Sequence, residues 1–212
     1  MNELATTCID RQIAALSRLH GVIATDEYNT IVEMVTNIAT QNYSARVMIA
    51  GVGKNSNIAS KISETMASLG IPSMSLNVSH LGHGDYGMVG HNDIIIHISR
   101  SGTTREMVIA IEHLRLIRPN VKQILIHCKK DKPKNPNVDV ELFIGAVAEG
   151  DEFGLAPTTS TTALLCTLDC ISVQVSHNIG FQRLDFLKFH PDGNLGELLR
   201  KEVQDPKSQT IP

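Results

Sequence analysis

The stretch Val47-Met48-Ile49-Ala50-Gly51-Val52-Gly53-Lys54 decides the fold. An apolar run enters a double-glycine turn, the mark of a strand buried on both faces. Strands of a parallel sheet covered by helices have that character, whereas half-solvated strands alternate. Ile58, Ile62, Met66 and Leu69 then recur at helical spacing over 56–69. Gly70 stops the run and Pro72 opens a strand over 73–76.

The same rhythm extends outward. Apolar strands are predicted over 93–98, 123–127 and 140–144. Helices are predicted over 104–117, closed by Pro119, and over the apolar stretch 160–179. Short helices are expected at 184–187 and 195–201. Upstream, Ile9, Ile13 and Leu16, then Ile31, Val35 and Ile38, give two helices within 1–45, the second capped by Thr25 and Asp26. Alternating strands and helices imply an α/β, three-layer sandwich around a five-stranded parallel sheet, with a helical N-terminal extension. Residues 1–45 are expected to pack on the domain or at an interface, 46–204 to form one domain, and 205–212 to be a flexible tail. Ligands in such sheets bind beyond the carboxyl ends of the strands, so the segments after Ile49, Ile98 and Ile144 matter most.

Composition narrows the function classes. The 212 residues carry a net charge of -3, no Trp and 4% aromatics, which disfavours nucleic acid. Residues 1–45 hold only Arg11 and Arg18 as basic groups. No apolar run nears the roughly 18–20 residues of a membrane span. Glu3, Asp10 and Arg11 interrupt any signal-peptide core. Cys8, Cys128, Cys166 and Cys170 show no Cys-x-x-Cys spacing, and the last two read as buried thiols. A cytoplasmic protein is expected.

Chemistry concentrates in a few segments. Gly51-Val52-Gly53-Lys54-Asn55-Ser56 fails the dinucleotide fingerprint at Ser56 and the Walker pattern at Met48 and Asn55. It leaves a tight turn that puts a lysine at a strand end, or simply a solvated lysine. Ser99-Arg100-Ser101-Gly102-Thr103-Thr104-Arg105-Glu106 sets hydroxyls and a glycine before a helix, a cradle for a phosphate monoester or an ordinary N-cap. Glu149-Gly150-Asp151-Glu152 precedes hydroxyls at 158–162, either a general base beside sugar-binding hydroxyls or a solvated acidic loop. Residues 129–139 read as a charged surface loop. His190 stands in a turn. His80, His83 and Asp85 fall short of a decisive ligand set, so no metal is assigned.

Together these segments resemble the sugar isomerase (SIS) domain family, and within it the D-arabinose 5-phosphate (A5P) isomerases. The residues carrying the resemblance are Gly51-Val-Gly-Lys54, His83-Gly-Asp85-x-Gly87-Met88, Ser99 to Glu106, Gly154-Leu-Ala-Pro-Thr-Thr-Ser-Thr-Thr162 and His190-Pro-x-Gly193. Two segments depart from the family pattern. Thr103 stands where Glu commonly follows Ser-Gly, and Phe189-His190-Pro191-Asp192-Gly193 replaces Ser-His-Pro-Gly-Gly.

The resemblance implies interconversion of D-ribulose 5-phosphate and A5P through a cis-enediol, with no cofactor, supplying Kdo synthesis for lipopolysaccharide or capsule. It implies catalytic roles for Lys54, Glu106, Glu149 and His190. Gly53, Ser56, His83, Ser99, Ser101, Gly102, Thr103, Thr104 and Thr159 would bind the phosphorylated pentose. Glu149 is expected as the base, with partial burial raising its pKa, and Glu106 is the alternative. His190 could act from a neighbouring copy. The resemblance also implies a homotetramer, in the form lacking the paired CBS module. Competing readings are a non-catalytic sugar-phosphate sensor and an isomerase of another phosphosugar.

Overall fold

The structure is a computed structural model that describes residues 2–41, 44–191 and 197. Its centre is a sheet of five parallel strands in the order β2-β1-β3-β4-β5. β1 (Val47–Gly51) is flanked by β2 (Ser73–Asn77) and β3 (Ile94–Ser99), and β4 (Lys122–His127) and β5 (Val140–Phe143) continue outward from β3. Every residue of β1 and β3 is buried, as their continuous apolar runs require.

The pleat sends successive side chains to opposite faces and splits the core in two. Val47, Ile49, Ile94, Ile96 and Ile98 face a large cluster built with α1 (Glu3–Val22), α2 (Asp26–Ala39), α3 (Lys54–Ser68) and α6 (Thr159–Asn178). Met48, Ala50 and Ile95 face a smaller cluster with α4 (Val78–Leu81) and α5 (Arg105–Ile117). These are the three layers that the alternation of strands and helices predicts.

Local chemistry sets the element ends. Thr25 Oγ1 accepts the Tyr28 amide at 3.3 Å and starts α2. α4 and a 3-10 turn at Asp85–Met88 fill a stretch with no predicted structure; the Asn77 side chain caps α4 by accepting the Ser79 amide at 3.1 Å. α3 starts at Lys54, ahead of the predicted boundary, because Gly53 turns the chain at φ 59°. Cys166 and Cys170 are only half-buried, since the α6 face that carries them borders the groove beside α1. The 129–139 segment is an exposed loop, as expected, but it is tied down at one lysine. The Lys132 side chain is 2% exposed and its Nζ donates to Glu141 Oε2 at 2.8 Å. α7 (Arg183–Phe189) follows α6. The helix expected over 195–201 and the tail over 205–212 lie outside the described residues, apart from residue 197.

Candidate active site

Strand register brings the glycine turn and the hydroxyl segment side by side. Gly51 pairs with Ile98, and Ser99 with His127, so the loops after β1 and β3 leave the sheet level with each other. β1 leads to β2 on one side and β3 continues to β4 on the other. The chain reversal opens a crevice at this switch point.

On the β1 side, Gly51 is obligatory. A Cβ there would run into the backbone of Asn55 and Ser56, where α3 folds back over the strand end. This fold-back places Gly53 and Lys54 in the mouth. Lys54 is exposed and has no ion-pair partner among the described residues. Ser56 Oγ donates to the Gly53 carbonyl at 2.7 Å and braces the turn. His83 is exposed in the segment after α4, beyond the neighbouring strand β2.

On the β3 side the hydroxyls form a network. Ser99 Oγ accepts the Gly102 amide and Ser101 Oγ accepts the Thr103 amide, each at 3.1 Å. Thr104 Oγ1 lies 3.2 Å from Ser99 Oγ and 3.4 Å from Ser101 Oγ. Turned toward these serines, the Thr104 side chain does not cap α5. The plain N-cap reading is thereby overturned, and the amides of the first turn remain open to an anion. Gly102 adopts φ 65° over the buried stem of Lys132, which a Cβ would strike. Glu106 is exposed in the first turn of α5.

Glu149 departs from its expected character. It is 0% exposed. Its Oε2 accepts the amides of Thr158 at 3.0 Å and Ser160 at 3.1 Å, with the Thr158 hydroxyl at 3.3 Å. Its Oε1 accepts the Ser160 hydroxyl at 2.5 Å and pairs with Arg100 Nε at 3.1 Å. Burial pushes its pKa up. The Ser160 hydroxyl, the two amides and the Arg100 guanidinium outweigh burial and hold the carboxyl below the usual range. The expected rise is therefore reversed. Glu149 caps α6 from a distance, and α1 braces it: Arg11 donates to the Glu149 carbonyl, and to that of Asp151 at 3.3 Å. Asp151 takes the Leu155 and Ala156 amides at 3.1 and 2.9 Å, so this acidic loop is a folded turn.

Two predicted residues are not brought to the crevice. Thr159 is 1% exposed, and its Oγ1 is buried without a partner, so the hydroxyl faces the interior. His190 stacks on Phe186 at 3.9 Å, and its Nδ1 lies 2.9 Å from the Phe186 carbonyl. Phe189 stacks on Phe181, which lies against Gly70. Gly70 follows the far end of α3, about 22 Å from Lys54 by helical rise over 15 residues. His190 is thus anchored at the opposite end of the sheet from the crevice of its own chain. Among the described residues, no group of three His, Cys, Asp or Glu side chains could hold a metal ion. No described helix is long and apolar enough to cross a membrane.

Sequence reasoning missed Arg100 and Arg11. A basic residue inside the Ser-x-Ser-Gly run was the available signal for the first. Arg11 had none, because its contacts reach across to residues 149 and 151.

A three-layer α/β domain with a crevice at the switch point of its parallel sheet is the class of ligand-binding fold that the chain presents. The sequence profile of the SIS domain matches residues 42–173, and the chain belongs to this family. It is 31% identical over 201 residues to the arabinose 5-phosphate isomerase KpsF of Escherichia coli O6:H1, covering 95% of this chain and 59% of KpsF. It is 38% identical over 160 residues to KdsD of Shigella flexneri, also an arabinose 5-phosphate isomerase, covering 76% of this chain and 48% of that protein. The chain thus spans about half to three-fifths of these curated relatives. Its fold matches the structure of an E. coli CFT073 protein in complex with A5P, with a TM-score of 0.78 and 28% identity over 90% of this chain and all of that one.

Proposed function

We propose that the chain is an aldose–ketose isomerase that interconverts D-ribulose 5-phosphate and D-arabinose 5-phosphate. The observation that carries this reading is the uncapped start of α5, ringed by Ser99, Ser101 and Thr104 and level with Lys54. The two named isomerase relatives supply the substrate class.

The phosphate sits on the α5 amides and the hydroxyls of Ser99, Ser101, Thr103 and Thr104. The cradle holds the sugar while Gly53, Ser56 and His83 bound its other side, so remote binding energy orients the reacting carbons. A carboxylate removes the proton next to the carbonyl and returns it to the neighbouring carbon. Between the two expected bases we assign this to Glu106, whose carboxylate is exposed. Glu149 has both oxygens engaged and keeps a supporting role. Lys54 stabilises the enediolate oxygen as a fixed positive charge. His190 serves the oxygen proton from a second copy of the chain. Thr159 contributes only if the start of α6 shifts.

The reading carries with it a cytoplasmic homotetramer that supplies Kdo synthesis. An isomerisation assay with several purified phosphosugars tests it. Turnover of ribulose 5-phosphate in preference to hexulose and heptose phosphates is expected. Binding without turnover of any of them establishes the sensor instead.

A further inference from the structure

A second cleft lies on the far side of the Ser99–Thr104 segment from Lys54. Lys54 follows β1 on one side of β3, and this cleft sits over the end of β4 on the other side. Its volume is about 420 Å³, and Arg100, Ser101, Lys129, Lys130 and Asp131 are among its lining residues. The cleft shares Ser101 with the α5 cradle, and the phosphosugar reading uses neither of its lysines.

Arg100 is the fixed part. Its Nε is bound to Glu149, which is fully buried, while the Arg100 side chain is 46% exposed. Its two Nη groups have no hydrogen bond among the described residues. A guanidinium held through Nε on a buried carboxylate presents its remaining donors as a planar fork, the geometry that suits an oxyanion. Glu149 is saturated by α6 and Arg100, so its charge faces those partners. Lys129 and Lys130 are exposed and add positive charge, opposed by Asp131. The lining is therefore net positive and favours an anion, in a volume suited to a small metabolite.

We propose that this cleft is a second anion site, adjoining the α5 cradle at Ser101, that takes the phosphate group of a phosphorylated metabolite. The proposal does not depend on isomerase activity. The test is an amide-resolved NMR titration of the whole chain with inorganic phosphate, at constant ionic strength set by sodium chloride. The amides of Gly102–Thr104 report the cradle, and those of Lys129–Asp131 report the cleft. Two groups of shifts with separate midpoints are expected. Lys129→Ala combined with Lys130→Ala should weaken the second midpoint at least tenfold and leave the first in place. Glu149→Gln should weaken the second midpoint as well, because Arg100 loses its anchor. A single midpoint for both groups overturns the proposal. So do unmoved Lys129–Asp131 amides, or shifts that chloride alone reproduces.

Discussion

His97 shows how much one buried polar residue can dictate. It sits in β3 at 0% exposure, on the α5 face of the sheet. Gln123 donates its amide nitrogen to the Ile111 and Asn137 carbonyls at 3.1 and 3.2 Å. Its Oε1 is therefore the acceptor, and His97 Nε2, 2.9 Å away, carries the proton. The ring is held neutral: burial pushes its pKa down to about 4, against a weaker upward pull from Gln123. Burial, helped by Lys132, also pushes His127 down to about 4. Both shifts have the same sign. The unfolded chain takes up these protons near pH 6.5 and the folded chain only near pH 4. Stability from the neutral rings is complete above pH 6.5 and lost as pH falls toward 4. Each ring contributes a slope of up to about 1.4 kcal/mol per pH unit within that window. Urea midpoints should fall steadily between pH 6.5 and 4.5, and less steeply in His97→Gln. A midpoint unchanged over that range would refute the assignment. Kinetics separates the roles of two site residues. Glu106→Gln should lower kcat by about 10²–10⁴, the scale of general acid–base catalysis. Ser101→Ala should mainly raise KM, and an unchanged KM counts against the cradle.

Elements were legible in the sequence where local pattern and tertiary role agree. The run Ile94-Ile95-Ile96 fits only a strand covered on both faces, and such a strand is what forms. The hydroxyls around Ser101 were legible because their number exceeds what a helix cap uses. The rise expected for the Glu149 pKa does not hold, and the physical reason is non-local. Its carboxylate is neutralised by Arg100 from another loop and by amides from nine and eleven residues ahead, none of which has a periodic signature. In the same way, Lys132 reads as one more surface charge until Glu141 draws it inward. The cap makes α6 depend on one side chain. Hydrogen bonds to a charged group contribute roughly 1.5–3 kcal/mol each, and an amide in its place keeps only part of them. Glu149→Gln should therefore lose about 2 kcal/mol at pH 7, measured by urea unfolding. Because the folded carboxyl has a depressed pKa, its contribution is full above the ordinary carboxylate range and is lost as pH falls through the folded value. The gap between variant and wild type should close in acid; a gap independent of pH would sink the capping role.

At the scale of the molecule, the chain carries an apolar outer surface and a displaced histidine. Leu4, Ile9 and Ile13 of α1 and Val173 of α6 are exposed by half or more, around a groove lined by Leu16, Cys166 and Cys170. Such a surface suits the proposed assembly of copies, in which one chain's C-terminal segment completes another's crevice. Mixing tests it. His190→Ala and Glu106→Gln should each be nearly inactive alone. Co-refolded in equal amounts, they should regain activity well above the sum of the two, because some crevices then combine an intact Glu106 with an intact His190. No recovery, in mixtures shown to exchange subunits, would place His190 outside the reaction.

The span of α3 has a consequence of its own. Its 15 residues set a fixed rod between the lysine at one end and the aromatic anchor of His190 near the other. A small loop movement cannot carry His190 to the Lys54 of its own chain. On the proposed arrangement, with His190 acting from a second copy, specific activity should decline when the protein is diluted below the point where copies part, and return on concentration. Under the same proposal, dosage would act more steeply than in proportion, since doubling the number of chains would raise both the count of crevices and the fraction of them that is complete.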